Sequence, residues 1–197
     1  MKRILFILIV LLAISTISTA AFAAGHTMSV LTDKTVYNVN EEINLSVVVT
    51  LGSGEELSAV FSVVNFDPGA FSVESSSRQA KPVAGIGTVA VNDTLPSDAV
   101  GARAMSLFNN VVVPAGSYTT FEAKFKALQP GVYTFSLPEG PDTPASGRIS
   151  ALLKTVGPSS TLVPSTKNSV TITIVGGIAP VANTTASPMI SEQPILP

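Results

Sequence analysis

The 197-residue chain has no cysteine, no tryptophan, one histidine and only 12% charged residues. Without cysteine there is no disulfide, no thiolate nucleophile, no cysteine-ligated zinc and no iron–sulfur centre. A lone His26 leaves little for acid–base or metal chemistry, and the chain has no Gly-x-Ser-x-Gly elbow, so serine hydrolysis is not expected. Glycosidases aim two carboxylates at one bond, and no carboxylate pair falls where a sheet centre is expected. Eleven Lys+Arg against thirteen Asp+Glu give a net charge of −2 without a run of five like charges. That balance predicts neither a nucleic-acid surface nor a polybasic membrane patch. A stacking platform for sugars is poorly supplied: the tyrosines are Tyr37, Tyr118 and Tyr133, and most phenylalanines fall on core-phase positions.

What apolar content there is begins at the N-terminus. Lys2 and Arg3 precede an unbroken apolar run from Ile4 to Ile14, and Ala21-Phe22-Ala23 follows, the layout of a secretory signal peptide over residues 1–23. The run is shorter than the ~20 residues needed to span hydrocarbon, so cleavage after Ala23 is expected. No cysteine follows to carry a lipid anchor. The chain is therefore predicted to be secreted or held at the cell surface, touching a membrane only through the cleaved signal. Outside the cell it must fold without disulfides, and a chain of this length can bury enough core to do so.

From Met28 onward, short β-branched and aromatic runs alternate with Gly, Pro, Asn, Asp and Ser clusters. The runs predict strands at Met28–Leu31, Ile43–Leu51, Leu57–Phe66, Phe71–Glu74, Gly87–Val91, Ala102–Phe108, Ser117–Leu128, Gly131–Leu137, Arg148–Leu153 and Ser169–Val175. Ile43 to Val47 and Phe121 to Lys126 alternate apolar and polar residues with period two, which sets one face on a core and the other in water. Leu57 to Phe66 is nearly continuous in apolar residues, as a strand covered on both sides should be. A helical turn is expected only at Ala99 to Ala104. Gln129-Pro130-Gly131 has hairpin turn chemistry and predicts that Ser117–Leu128 pairs with Gly131–Leu137. Many strands and no helices favour an all-β fold, one antiparallel β-sandwich or jelly roll, over residues 24–175. Beyond Gly176-Gly177, prolines at 180, 188, 194 and 197 among Thr and Ser predict an extended tail or linker over residues 176–197.

The polar candidates divide between chemistry and simple turn-making. Asp67 before Pro68-Gly69 is read as a turn cap. Glu41-Glu42 and Glu55-Glu56 have the oxygen ligands calcium prefers but no Asp-rich loop nearby, so solvated strand ends are expected. Asp93 and Asp98, with Asn92 and Ser97, are read as a solvated loop, and His26 as part of an unstructured N-terminal stretch. Asn44, Asn92 and Asn183 each begin an Asn-x-Ser/Thr triplet, a possible glycan acceptor in an exported protein. No catalytic, cofactor or metal residue is assigned, and the binding residues are left unknown.

Two stretches resemble the cohesin family. Leu57 to Val73, an apolar strand ending in Phe66-Asp67-Pro68 and then a small turn and a short strand, looks like one cohesin pattern. Phe121 to Leu137, an alternating strand, a Pro-Gly turn and another strand, looks like the late hairpin of that family. Val36-Tyr37-Asn38-Val39-Asn40-Glu41-Glu42-Ile43 is similar to its "Y-x-x-G-E-x-I" opening, with Asn40 where Gly is usual. Asn tolerates the left-handed conformation, so that turn is expected to survive. Ser169 to Val175 fits the closing strand. The resemblance implies a jelly roll of about nine strands, related in fold to carbohydrate-binding modules, that docks a Ca²⁺-loaded dockerin on one sheet face without catalysis. The sequence departs from the family before the aromatic-Asp-Pro turn, where Ala59, Val60, Phe61 and Val63 stand in place of polar contact residues. Either the recognition face is more apolar here or the fold serves another partner.

The reading is thus a secreted, non-catalytic module that docks a dockerin-like protein in an extracellular or surface assembly, one acting on polysaccharide among the possibilities. Two alternatives stand beside it: a structural subunit of a surface layer or filament, and a module that binds cell-surface polysaccharide.

Overall fold

The computed structural model describes residues 25–106, 109–139 and 148–176. The stretch expected to be a signal sequence and almost all of the proline-rich tail, with Asn183, lie outside the described residues. Sixteen strand segments are present among those described. The first eight are β1 (His26–Thr32), β2 (Val36–Asn38), β3 (Glu42–Leu51), β4 (Glu55–Leu57), β5 (Ala59–Asn65), β6 (Phe71–Val73), β7 (Gln79–Ala80) and β8 (Thr88–Val91). The rest are β9 (Ala99–Met105), β10 (Val111–Val113), β11 (Gly116–Ala127), β12 (Gly131–Phe135), β13 (Ala151–Val156), β14 (Ser159–Val163), β15 (Ser165–Asn168) and β16 (Val170–Val175).

They form two main layers. One sheet has the order β15-β1-β3-β11-β6, with β7 also on β11, and the other runs β14-β13-β5-β9-β8. A three-stranded sheet, β12-β16-β2, and a ribbon, β10-β4, complete the sandwich. The period-two pattern of the sequence decides which side chains face inward: β3 buries Ile43, Leu45, Val47, Val49 and Leu51 and exposes Glu42 and Asn44. Phe121, Ala123 and Phe125 of β11 do the same. The centre of the core is aromatic, with the Phe125 ring meeting Phe66 at 5.1 Å and Phe135 at 5.0 Å, both edge to face. At Thr119/Phe121 the register of β11 on β3 shifts, and the inserted Thr120 turns inward. Its hydroxyl lies 3.1 Å from the Val47 carbonyl and 2.6 Å from the Ser62 hydroxyl of the opposite layer. One bulge thus ties the two sheets together with a satisfied buried polar bridge.

Several expectations are corrected. β11 and β12 do not pair: β11 joins β3, β6 and β7, whereas β12 joins β16. The Pro130-Gly131 turn instead carries the chain into the β12-β16-β2 sheet, from which Phe135 meets Phe125 in the core at 5.0 Å. The stretch Ala99 to Ala104 is extended, not helical. β9 lies between β5 and β8 and places Val100, Ala102 and Ala104 in the core, so tertiary pairing overrides the helix preference of alanine. The predicted Leu57–Phe66 strand divides at Ser58, whose N–H bonds the Leu153 carbonyl, so β4 pairs with β10 while β5 pairs with β13 and β9. The strand expected over Ala102–Phe108 is observed to end at Met105, and residues 107–108 lie outside the described residues. Segments β2, β4, β7, β10, β14 and β15 were not anticipated as separate strands. They are short, and β14 and β15 are largely polar, so neither length nor alternation marks them. Two of the ladders, β1 with β15 and β2 with β16, are parallel.

The opening turn keeps the form its residues suggested, with Asn40 in the left-handed region at φ 69°. Beside it, buried Tyr37 donates its hydroxyl to Asp33 Oδ1 at 2.7 Å, and the Lys34 N–H donates to the same hydroxyl at 3.0 Å. Burial, reinforced by the Asp33 carboxylate, pushes Tyr37 up to about 12. Tyrosine in an unfolded chain ionises near 10, so the folded state holds this proton more tightly. Its contribution is complete below pH ~10 and disappears as pH rises through 12, on the order of 2 kcal/mol. Tyr37→Phe should therefore show a shallower loss of stability between pH 9 and 12 than the natural chain in urea titrations. Parallel curves for the two proteins would count against the assignment.

Candidate docking face

Strand β5 is buried on both faces. Val60 and Val64 enter the main core, while Ala59 and Phe61 point the other way and pack with Ile149, Ala151 and Leu153 in a separate apolar cluster, with Met105 at its margin. The registers of the sheet place these residues in rows across its outer face. Leu162, Leu153, Ala59, Met105 and Thr88 are mutual neighbours over five strands, and Ala151, Phe61, Arg103 and Ala90 form the next row. Val63 and Gly101 pair beyond them, and there the two strands approach so closely that a Cβ on Gly101 would fall 2.3 Å from the Ser62 carbonyl oxygen.

Ser150 fixes the edge of this face. Its hydroxyl donates to the Val63 carbonyl at 2.6 Å and accepts the Val63 N–H at 2.9 Å, standing in for a strand rung where residues 148–150 run beside β5. Arg148 holds the rim through Asn65 at 3.0 Å and Asp98 at 2.8 Å. At the other end the hairpin of β13 and β14 turns on Gly157 at φ 60° and carries Leu162 outward, 41% exposed. Ala59, Phe61, Ile149, Ala151 and Leu153 are themselves buried, so what this side presents to solvent is Leu162, Arg103 and the margin of Met105 inside a polar rim.

The outer face of the opposite sheet is different. A shallow concavity of about 430 Å³ lies there, lined by Asp33, Asn44, Ser46, Gln79, Glu122 and Lys124 among others. Its charges are mostly satisfied locally: Lys124 pairs with Glu42 at 2.9 Å and Lys81 with Glu122 at 2.8 Å.

The sequence candidates turn out to be structural. Asp67 Oδ1 accepts the Gly69 N–H at 2.8 Å, and its carbonyl accepts those of Ala70 and Phe71, so it caps the turn. Glu41 meets the Lys34 ammonium and the Asn38 N–H, and these hold its carboxyl below the usual range. Glu42 bonds Lys124 and opens β3, whereas Glu55 and Glu56 face Lys154 and lie in β4, beyond the far end of β3 and in a different sheet. Asp93 pairs with Arg78 at 3.0 Å, and Asp98 with Arg148. Among the described residues no three His, Asp or Glu side chains gather where they could hold a metal ion. Asn92 Oδ1 accepts both the N–H and the hydroxyl of Thr94, and Asn44 is exposed within β3. The reading of His26 as part of an unstructured stretch is corrected: it opens β1, because the parallel ladder to Ser165 orders the backbone there, and its Nε2 lies 3.4 Å from Glu55. Sequence reasoning missed Arg103, Ser150 and Leu162. The continuous apolar run of β5 was the available signal for the face they share.

No protein-family model matches the sequence, and no curated protein matches it. Solved structures do match its fold. The seventh ScaB type I cohesin from Pseudobacteroides cellulosolvens aligns at TM-score 0.53 and 12% identity, over 79% of this chain and 96% of that one. A non-cellulosomal cohesin from the hyperthermophilic archaeon Archaeoglobus fulgidus aligns at 0.53 and 10% identity, over 77% and 92%. The third cohesin ScaC of Acetivibrio cellulolyticus, solved in complex with the ScaB dockerin, aligns at 0.55 and 11% identity, over 76% and 99%. The chain is thus an all-β sandwich, and the sandwich is of the cohesin-like kind.

Proposed function

We propose that this chain is an exported, non-catalytic docking module that binds a dockerin-like protein through the outer face of the β14-β13-β5-β9-β8 sheet. The observation that carries the reading is the accessible part of the outward side of that sheet, exposed Leu162 and Arg103 with partly buried Met105, set over a second, buried apolar cluster of Ala59, Phe61, Ile149, Ala151 and Leu153. Cohesin-like folds solved with dockerins support the class of partner. The signal sequence over residues 1–23, cleavage after Ala23, a domain over 24–175 and a linker beyond it belong to the same proposal. So does an extracellular or cell-surface location.

The test is capture of Ca²⁺-loaded dockerin modules by the full chain on a biosensor. Met105→Asp and Leu162→Asp, the first at a partly buried and the second at an exposed position of the face, should each weaken capture by ~30-fold or more, the scale of an interface hot spot. Lys124→Ala on the opposite sheet should leave it within twofold. Equal losses from all three variants, or no capture from a broad dockerin panel, would overturn the proposal.

A further inference from the structure

His26 opens β1, and its Nδ1 is enclosed without a hydrogen-bond partner, which is true of no other side-chain nitrogen or oxygen among the described residues. A buried polar atom left unpaired is unfavourable and calls for a physical reason. The other ring nitrogen, Nε2, lies 3.4 Å from a carboxylate oxygen of Glu55. That carboxylate draws the ring proton to Nε2, so Nδ1 is left with a bare lone pair. An imidazole whose far nitrogen donates to a carboxylate is the arrangement that orients metal-ligating histidines. Glu55 is free to serve in this way, since Lys154 reaches it only at 3.9 Å. The residues before His26 are Ala24 and Gly25, so cleavage after Ala23 makes histidine the third residue of the processed chain.

An amino terminus with histidine third offers a plane of nitrogens: the α-amine, the amide nitrogens of the second and third residues, and Nδ1 of the ring. These close adjoining five- and six-membered chelate rings around one ion, so a single histidine suffices and no second ligating side chain is needed. A square-planar nitrogen field suits Cu(II) above all and Ni(II) next, whereas Zn(II) prefers a tetrahedron. We propose that Ala24-Gly25-His26, once processed, is a Cu(II) site closed by His26 Nδ1 and steadied by Glu55. The proposal rests on the cleavage position given above. On binding, the Ala24 ammonium and the Gly25 and His26 amides each release one proton to solvent, and no electron is transferred. Gly25 suits its place: it is exposed, and a Cβ there would meet nothing within 4 Å, so the backbone has room to wrap the ion. The His26 amide is also inexpensive to surrender. It lies on the first rung of the ladder to β15, the ladder to β3 begins only at Thr27, and end rungs open at little cost.

The experiment passes the full chain through a secretory host and reads its first residue by intact mass and terminal sequencing. The processed protein is then titrated with Cu(II) alone in a buffer that does not chelate. One equivalent should bind, with the visible absorption and the nitrogen hyperfine pattern of a square-planar nitrogen site, and equimolar Zn(II) should not displace it. Gly25→Pro takes away an amide proton that the ion must replace and leaves His26 and Glu55 in place. That variant and His26→Ala should both lose the signal. Glu55→Gln should keep it and weaken affinity by ~10-fold, the scale of a lost supporting carboxylate. If either terminal variant is not processed, one alanine inserted before Ala24 moves histidine to the fourth position and should give the same loss. A protein that begins at Ala24 yet binds no Cu(II), or binds it equally well as Gly25→Pro, overturns this inference and leaves the export reading intact. A protein that begins elsewhere overturns the cleavage position and the inference with it.

Discussion

Phe125→Ala should lower the free energy of unfolding by about 3–5 kcal/mol, the usual range for emptying a buried aromatic site. Phe125 is 1% exposed and stands where three elements converge, with Phe66, Phe71 and Phe135 around its ring. β11 is held on one side by β3 and on the other by β6 and β7, so its backbone cannot slide in to fill the hole. The loss should therefore contain the full cavity contribution as well as the lost transfer of the ring from water. In urea the midpoint should fall with little change in slope, since the same surface is exposed on unfolding. A loss below ~1 kcal/mol would mean that the aromatic cluster repacks freely and does not organise the core.

The second large effect is expected at a polar residue. Ser150→Ala removes the hydroxyl that both donates to and accepts from the backbone of Val63, and Ser150 and Val63 are each at most 1% exposed. The alanine leaves a buried N–H and a buried C=O without partners, and each such group costs about 1–3 kcal/mol. A total near 3 kcal/mol is expected, comparable with a core deletion although the volume change is small. Hydrogen exchange separates this mechanism from general loosening: the Val63 amide should lose protection well before the Val30 amide in the other sheet. Equal acceleration of the two would show that Ser150 acts through packing alone. Because Ser150 lies between Ile149 and Ala151, the substitution should also disturb the second buried cluster that those residues help build.

How far the sequence announced this arrangement depends on how local each feature is. β3 and β11 could be read directly, since alternation of side chains is a property of a single strand. Asn40 was legible for the same reason, because its left-handed backbone serves a turn made by its immediate neighbours. The Pro130-Gly131 step was not, since the same residues suit a hairpin and a crossing between sheets, and the choice lies in distant partners: β12 pairs with β16, and Phe135 packs on Phe125 and Phe71. β9 was hidden by composition: its alanines favour a helix in isolation and become a strand through ladders to β5 and β8. The proposed docking face was half visible. A two-sided apolar strand stood out at residues 57–66, but the place of Arg103 on that face depends on which residues lie across from it, and that is fixed by register.

The two parallel ladders have a mechanical corollary. β1 and β2, near the start of the folded residues, run in the same direction as β15 and β16, near their end. Tension that draws the two ends of the folded residues apart therefore loads these ladders lengthwise, and their rungs must yield together instead of unzipping one at a time. A module built this way resists a pull applied between the residues before His26 and those after Val175 through both ladders at once.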